Sequence, residues 1–352
     1  MLAYTFGNST SLTFFAVSLG ITHSLINHTP SIFIGVPDEN SPLVTLPGKM
    51  LVSKGKGSLA FYHTYYGSLL GVLITSFTVP LLNFFYKNVL HFLENFTKPI
   101  ILLILLYIIF TSNNKKHGVI TAFLGGLIGI VSFNASSINS SATFLPMFTG
   151  LFGTPMLVKK FGSKSPKQEK IKPEKQEIKF LGGFKGYLAG IFSSILPGVG
   201  PSSTASVIKT ENRKEFLTAL GAVNTTNVMT SILIVKLTKT SRTGLADFIL
   251  SNRSPESLSV LTVIVCGLIS VSVTLIVSEK MLNLFISVVS KIPEKKLKGT
   301  VFVFLITLIT YTTSYPGVSI YFLSTGIGLI VSELDSRKSL LMSCIIIPVL
   351  LI

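Results

Sequence analysis

Residues 181–208 read LGGFKGYLAGIFSSILPGVGPSSTASVI, a pattern that a soluble helix has no use for. A glycine-spaced apolar segment runs into Pro197-Gly198-Val199-Gly200-Pro201, meets the hydroxyl cluster Ser202-Ser203-Thr204, and turns apolar again. Proline and glycine interrupt a helix. Inside hydrocarbon such a break persists only where protein or a water-filled cavity satisfies the freed backbone groups. Secondary transporters place their substrates at discontinuous helices of this kind, near the bilayer midplane. The stretch therefore predicts a broken membrane helix with ligand-binding groups at the break.

The rest of the chain has the composition such a helix needs around it. Only 12% of the 352 residues are charged, against about 25% in soluble domains, and mean hydropathy is +0.65. Apolar runs of membrane-spanning length recur throughout. The net charge of +16 would point to nucleic acid in a soluble protein. Here the lysines and arginines sit between apolar runs, where anionic headgroups and the positive-inside bias account for them. No basic face with interleaved aromatics appears, so nucleic acid is not an expected partner. Cys266 and Cys344 lie far apart in apolar runs and read as buried thiols.

Outward from the opening stretch, the sequence predicts an all-α integral membrane protein. Roughly eight to ten membrane segments fall into two related halves with broken or re-entrant helices. The first half covers residues 1–158. It opens with an apolar run, 12–34, interrupted by Thr22, His23, Ser24, Asn27 and His28. An acidic, proline-punctuated hairpin follows at 35–42. A span is expected over 59–85, an interfacial amphipathic stretch over 88–98, and another span over 99–110. Gly125, Gly126 and Gly129 predict close helix approach within 118–133. Residues 144–158, with Pro146 and Pro155, fit either a re-entrant pair or a short span.

Residues 159–180 form a basic linker: eight lysines stand against three glutamates over 159–179, without apolar periodicity. Such a segment predicts disorder on the cytoplasmic side. The second half, 181–352, contains the opening stretch and then an apolar run, 217–237, carrying Asn224-Thr225-Thr226-Asn227. A span over 258–277, an amphipathic connector over 279–293, a turn at Tyr315-Pro316-Gly317 and a terminal span complete it. Proline-punctuated breaks and polar-interrupted spans thus occur in both halves, the pattern of an inverted-repeat transporter.

Several groups carry potential chemistry. Pro197, Gly198 and Gly200 open the backbone, and N–H groups at a resuming helix hold a carboxylate or phosphate. Ser202, Ser203 and Thr204 add hydroxyl donors; the competing reading is a kink whose hydroxyls bond back to their own helix. His23 with Asn27, and Asn224 and Thr225 with Asn227, are expected to line a polar cavity, with interhelical packing as the alternative. Asp38 and Glu39 are expected to coordinate a coupling cation or relay a proton, unless they lie in a solvated hairpin tip. The histidines show no ligand spacing, so neither metal nor other cofactor is expected. No phosphate loop, nucleophile elbow or zinc-protease motif is present, and no enzyme activity is expected.

A family resemblance also runs along these residues. Ile21-Thr22-His23-Ser24 leads into Pro30-Ser31-Ile32-Phe33-Ile34-Gly35-Val36-Pro37-Asp38-Glu39 and Leu46-Pro47-Gly48. Later come 190–205, then Leu220-Gly221-Ala222-Val223-Asn224-Thr225-Thr226-Asn227, then Arg242-Thr243-Gly244. Together they resemble the archaeal branch of the large membrane subunit of tripartite tricarboxylate transporters, over nearly the whole chain.

The resemblance implies a multi-pass secondary transporter of the cytoplasmic membrane, driven by a sodium or proton gradient. In the bacterial relatives a carboxylate is carried, with a small membrane subunit and an extracytoplasmic solute-binding protein as partners. The resemblance also implies an N-terminal hairpin with its own proline–glycine motif, which is expected to be missing before Met1, the sequence being either shortened or genuinely reduced. That leaves residues 37–40 as the nearest counterpart to the break at 197–204. Two other functions fit the same pattern: a translocase for polyprenyl-phosphate or similar lipids, and a degenerate, non-transporting membrane protein.

Overall fold

Polar residues between the apolar runs start the helices. Asn114 Oδ1 accepts from the backbone N–H groups of Lys116 and His117 at 3.1 and 3.3 Å. Asn212 Oδ1 accepts from Glu215 N–H at 3.0 Å. Each thereby satisfies donors that the first turn of a helix leaves open.

The computed structural model describes residues 9–34, 43, 45–112, 114–135, 140–159, 166, 168–169, 177–196, 200–239, 243–251, 258–334, 336 and 338–351. Among them helix follows helix, and no strand occurs. The order begins α1 (Ser9–Ile26), α2 (His28–Phe33), α3 (Thr45–Val52), α4 (Gly57–Phe110) and α5 (Lys115–Phe133). Then come α6 (Ser140–Phe148), a π-helical turn (Thr149–Gly153), α7 (Thr154–Lys159), α8 (Phe180–Ile195) and α9 (Pro201–Ala205). The chain continues with α10 (Arg213–Thr238), α11 (Gly244–Ser251), α12 (Val260–Lys291) and α13 (Glu294–Glu333). A 3-10 turn (Lys338–Met342) and α14 (Ser343–Leu351) end it.

Five helical stretches are long and apolar enough to cross a membrane: Gly57–Leu81, Lys115–Phe133, Arg213–Leu237, Val260–Val288 and Lys296–Glu333. Shorter apolar helices occupy Lys98–Phe110, Ala142–Gly153 and Lys338–Leu351. The protein is an all-α, multi-pass membrane protein.

Several boundaries differ from those expected. The amphipathic stretch 88–98 is not set off by a break, because α4 is continuous across it. No glycine occurs in α4 after Gly71, and proline is tolerated inside membrane helices. The connector expected over 279–293 is likewise taken up by α12 as far as Lys291. In α13 the break falls at Ser314 (φ 54°, ψ −158°) rather than at Tyr315-Pro316-Gly317. Pro316 then sits in the first turn after the break, where its missing N–H costs nothing. A straight 38-residue span would measure about 57 Å against a hydrocarbon core of about 30 Å. The break divides it into two stretches of membrane-crossing length.

The chain forms two compact units. Unit 1 comprises Met1–His28, Phe61–Thr97 and Lys172–Asn283; unit 2 comprises Thr29–Ala60, Lys98–Ile171 and Leu284–Ile352. Each draws on chain from both sides of the lysine-rich segment.

In unit 1, α10 is the central element, with 94% of its most apolar window buried. Glycines let its neighbours approach backbone to backbone. A Cβ on Gly186 of α8 would overlap the Ala219 carbonyl, and one on Gly67 of α4 would overlap the Thr218 carbonyl. At that range short hydroxyls reach across: Thr225 Oγ1 donates to Ser68 O at 3.0 Å, and Ser68 Oγ to Gly221 O at 3.2 Å. Hydrogen bonds of this type hold membrane helices together where lipid offers no hydrophobic drive. An apolar cluster around Val17, Ile21, Val72, Ile232, Ile249 and Val263 packs beside them. At one end of α10, Lys185 Nζ lies 2.8 Å from Glu215 Oε1 and donates to Lys209 O at 2.9 Å, closing the loop before α10.

In unit 2, α5 and α14 pack through Gly125, Gly126 and Gly129, where a Cβ on Gly129 would overlap the Cys344 carbonyl. The segment left open as a re-entrant pair or a short span is helical from Ser140 to Lys159 through the π turn. It packs on α13 at Gly150, and Thr154 Oγ1 meets Tyr321 Oη at 2.8 Å. Within the lysine-rich segment, Gln168 and Glu169 are not free as its composition implied. Gln168 Oε1 accepts from Gly57 N–H at 3.0 Å, Gln168 Nε2 donates to Val52 O at 3.0 Å, and Ser58 Oγ donates to Glu169 O at 2.8 Å. The open N–H groups at the start of α4 supply the donor.

Candidate functional site

The candidate site lies in unit 1, on one face of α10. Helical periodicity gives this buried helix three working faces. Thr218, Gly221 and Thr225 meet α4; Ala219, Val223 and Thr226 meet α8. Asn224 turns to α1, where its Nδ2 stands 3.5 Å from Ser24 O and 3.4 Å from Asn27 Oδ1. Asn227 and Ser231 follow Asn224 at i+3 and i+7, so the three share a face. They are 1%, 3% and 1% exposed in chain order, too deep for ordinary hydration. Asn224 Oδ1 and Ser231 Oγ have no hydrogen-bond partner among the described residues. A buried, unsatisfied polar atom costs about 1–3 kcal/mol, so it calls for a ligand or a role.

The break after α8 is the second region with candidate site residues. α8 ends at Ile195, and the backbone resumes as the single turn α9, which packs on α8 and α10. Instead of the resuming half-helix expected, α9 is five residues long. Its hydroxyls shorten it: Thr204 Oγ1 donates to Pro201 O at 3.0 Å and Ser206 Oγ to Ser203 O at 2.6 Å, taking carbonyls a longer helix would use. Ser202, Ser203 and Thr204 are all buried. Thr204 thus follows the kink alternative, whereas Ser203 Oγ, fully buried, has no partner among the described residues. Gly200 is extended (φ −74°, ψ 167°), and a Cβ built there meets nothing within 4 Å. Among the described residues, the space beside Gly200 is therefore open.

The remaining expected site residues fall in different places. Thr225 sits on the α4 face and is bonded to Ser68 O, away from the Asn224–Asn227 face. His23 is exposed, and Asn27 is partly buried. Pro197, Gly198, Asp38, Glu39 and Arg242 lie outside the described residues. Ser231 was not singled out from sequence, although its spacing of four from Asn227 was the available signal. Among the described residues no group of three or more His, Cys, Asp or Glu is placed to hold a metal. The site is built from neutral amides, hydroxyls and carbonyls. Its N–H and O–H donors suit a carboxylate, and its oxygens suit a cation.

An uncharacterised protein of Methanocaldococcus jannaschii is 28% identical over 352 positions, covering 96% of this chain and 87% of the relative. No solved structure matches the chain. The model of the Tripartite tricarboxylate transporter TctA family aligns with residues 1–343, nearly the whole length, and the chain belongs to that family.

Proposed function

We propose that this protein is the large membrane subunit of a transporter that carries small organic anions, of the di- or tricarboxylate class, across the cytoplasmic membrane. The observation that best supports the proposal is the buried Ser203 hydroxyl, which has no hydrogen-bond partner among the described residues and follows Gly200, where a Cβ would meet nothing within 4 Å. A buried donor with no protein partner is one that a ligand oxygen would complete. Asn227 on the α10 face offers a further amide donor, and Pro197 and Gly198 belong to the same break.

An ion gradient is the proposed driving force, with the Asp38-Glu39 pair as one candidate for coupling. A small membrane subunit and an extracytoplasmic solute-binding protein are the proposed partners, as the family name implies. The lysine-rich segment 159–180 is proposed to face the cytoplasm.

Uptake of labelled citrate, succinate and related anions into proteoliposomes, under imposed sodium or proton gradients, tests the proposal. Gradient-dependent flux that falls several-fold in Gly200→Leu is expected. No flux with any carboxylate, with the partner subunits supplied, would overturn it.

A further inference from the structure

We infer that the end of α1 and the side chain of Asn224 form a binding site for a monovalent metal cation of the size of sodium. α1 stops at Ile26, Asn27 forms a turn, and α2 begins at His28. Carbonyls in the last turn of a helix lack amide partners within it, and they concentrate partial negative charge there. Ser24 O is one of these carbonyls. The side chain of Asn27 turns toward the same point, and Asn224 arrives from α10.

The amide of Asn224 is poorly accommodated as it stands. Its two donor contacts, 3.5 Å to Ser24 O and 3.4 Å to Asn27 Oδ1, lie beyond the usual range for N–H···O bonds. Its Oδ1 has no partner although the residue is 1% exposed. The terminal torsion of asparagine is roughly two-fold. A half-turn about it places Oδ1 where Nδ2 now stands, 3.5 Å from Ser24 O and 3.4 Å from Asn27 Oδ1.

That spacing is informative. Oxygens about 2.4 Å from a hard cation in octahedral geometry are separated along each edge by about 3.4 Å. All three oxygens are neutral, one backbone carbonyl and two side-chain amides, whereas calcium and magnesium sites recruit carboxylates. A singly charged ion matches the set. Unwound carbonyls and helix C-terminal ends hold coupling ions in other transporters built from discontinuous helices. The cation site does not depend on the carboxylate reading; only its use as a coupling site rests on the proposed function. A bound carboxylate near Asn227 would then supply the missing negative charge, so that ion and anion would favour each other's binding.

Thermal unfolding of the full chain in detergent, titrated with NaCl against KCl and choline chloride at constant total chloride, tests the site. A saturable rise in Tm of a few degrees, specific to sodium, is expected for the wild type. It should be lost in Asn27→Ala and Asn224→Ala. Asn224→Asp, which keeps an oxygen and adds a charge, should lower the sodium midpoint several-fold, and it serves if the alanine variants fail to fold. No sodium-specific shift in the wild type, an unchanged shift in both alanine variants, or an unchanged midpoint in Asn224→Asp would each overturn the site. A sodium shift without carboxylate flux would overturn the substrate reading alone; flux without any sodium shift would overturn the cation site alone.

Discussion

Ser203 and Thr225 look alike in the sequence and behave differently in the structure. Both are hydroxyls in polar runs within apolar segments, and both are fully buried. Thr225 Oγ1 donates to Ser68 O, joining α10 to α4, while Ser203 Oγ bonds to no described residue. Removing a satisfied buried bond costs about 1 kcal/mol, and removing an unsatisfied hydroxyl costs little or is favourable. Thr225→Ala is therefore expected to lower stability by about 1 kcal/mol with little change in substrate affinity. Ser203→Ala should leave Tm unchanged or raised while it weakens transport. Paired measurements of Tm and flux on the two variants check this, and a loss of Tm in Ser203→Ala would assign that hydroxyl to packing. Ser202-Ser203-Thr204 was legible as a cluster, but which hydroxyl is spare depends on carbonyls that only the fold brings into reach.

Elements show the same division of labour. Helices were readable from apolar runs, and the glycines of 118–133 from their spacing. The partners of those glycines, such as Cys344 of α14 for Gly129, were not. α13 is a clear case of a break read one residue too late. Tyr315-Pro316-Gly317 carries the breaking residues, yet Ser314 takes the irregular backbone, at φ 54°. Positive φ with extended ψ belongs to glycine, and another residue held there costs roughly 1–3 kcal/mol. Ser314→Gly is thus expected to stabilise the protein by about 1 kcal/mol, after offsetting glycine's greater freedom in the unfolded chain. Equilibrium unfolding in a mild denaturing detergent measures it; a loss of stability would mean that the serine side chain supports the break.

At the scale of the molecule, composition specified the environment and contacts specified the assembly. Gln168 and Glu169 illustrate the second point. Their surroundings are lysine-rich, yet their hydrogen bonds to Gly57, Val52, Ser58 and Gly55 fasten the segment to the start of α4. Gln168→Ala is expected to expose that segment, with faster trypsin cleavage between 159 and 180 while the spans stay intact. A cleavage rate equal to the wild type would show that the backbone bond from Glu169 N–H to Gly55 O suffices. A cysteine introduced at 170 should react only with reagents admitted to the cytoplasmic face; labelling from outside would reverse the proposed orientation.

The sequence by itself determined an all-helical membrane protein, the break at 197–204 and the polar run at 224–227, because charge content, apolar length and proline–glycine interruption are local properties. The tertiary structure decided the form that follows the break: α9 stops after one turn, and among the described residues Ser203 Oγ has no partner and Gly200 borders open space. It also brought Asn224 beside Ser24 and Asn27, nearly two hundred positions away. A polar atom is satisfied or left vacant by groups distant in the chain, so the vacancies that point to ligands appear only once the helices have packed.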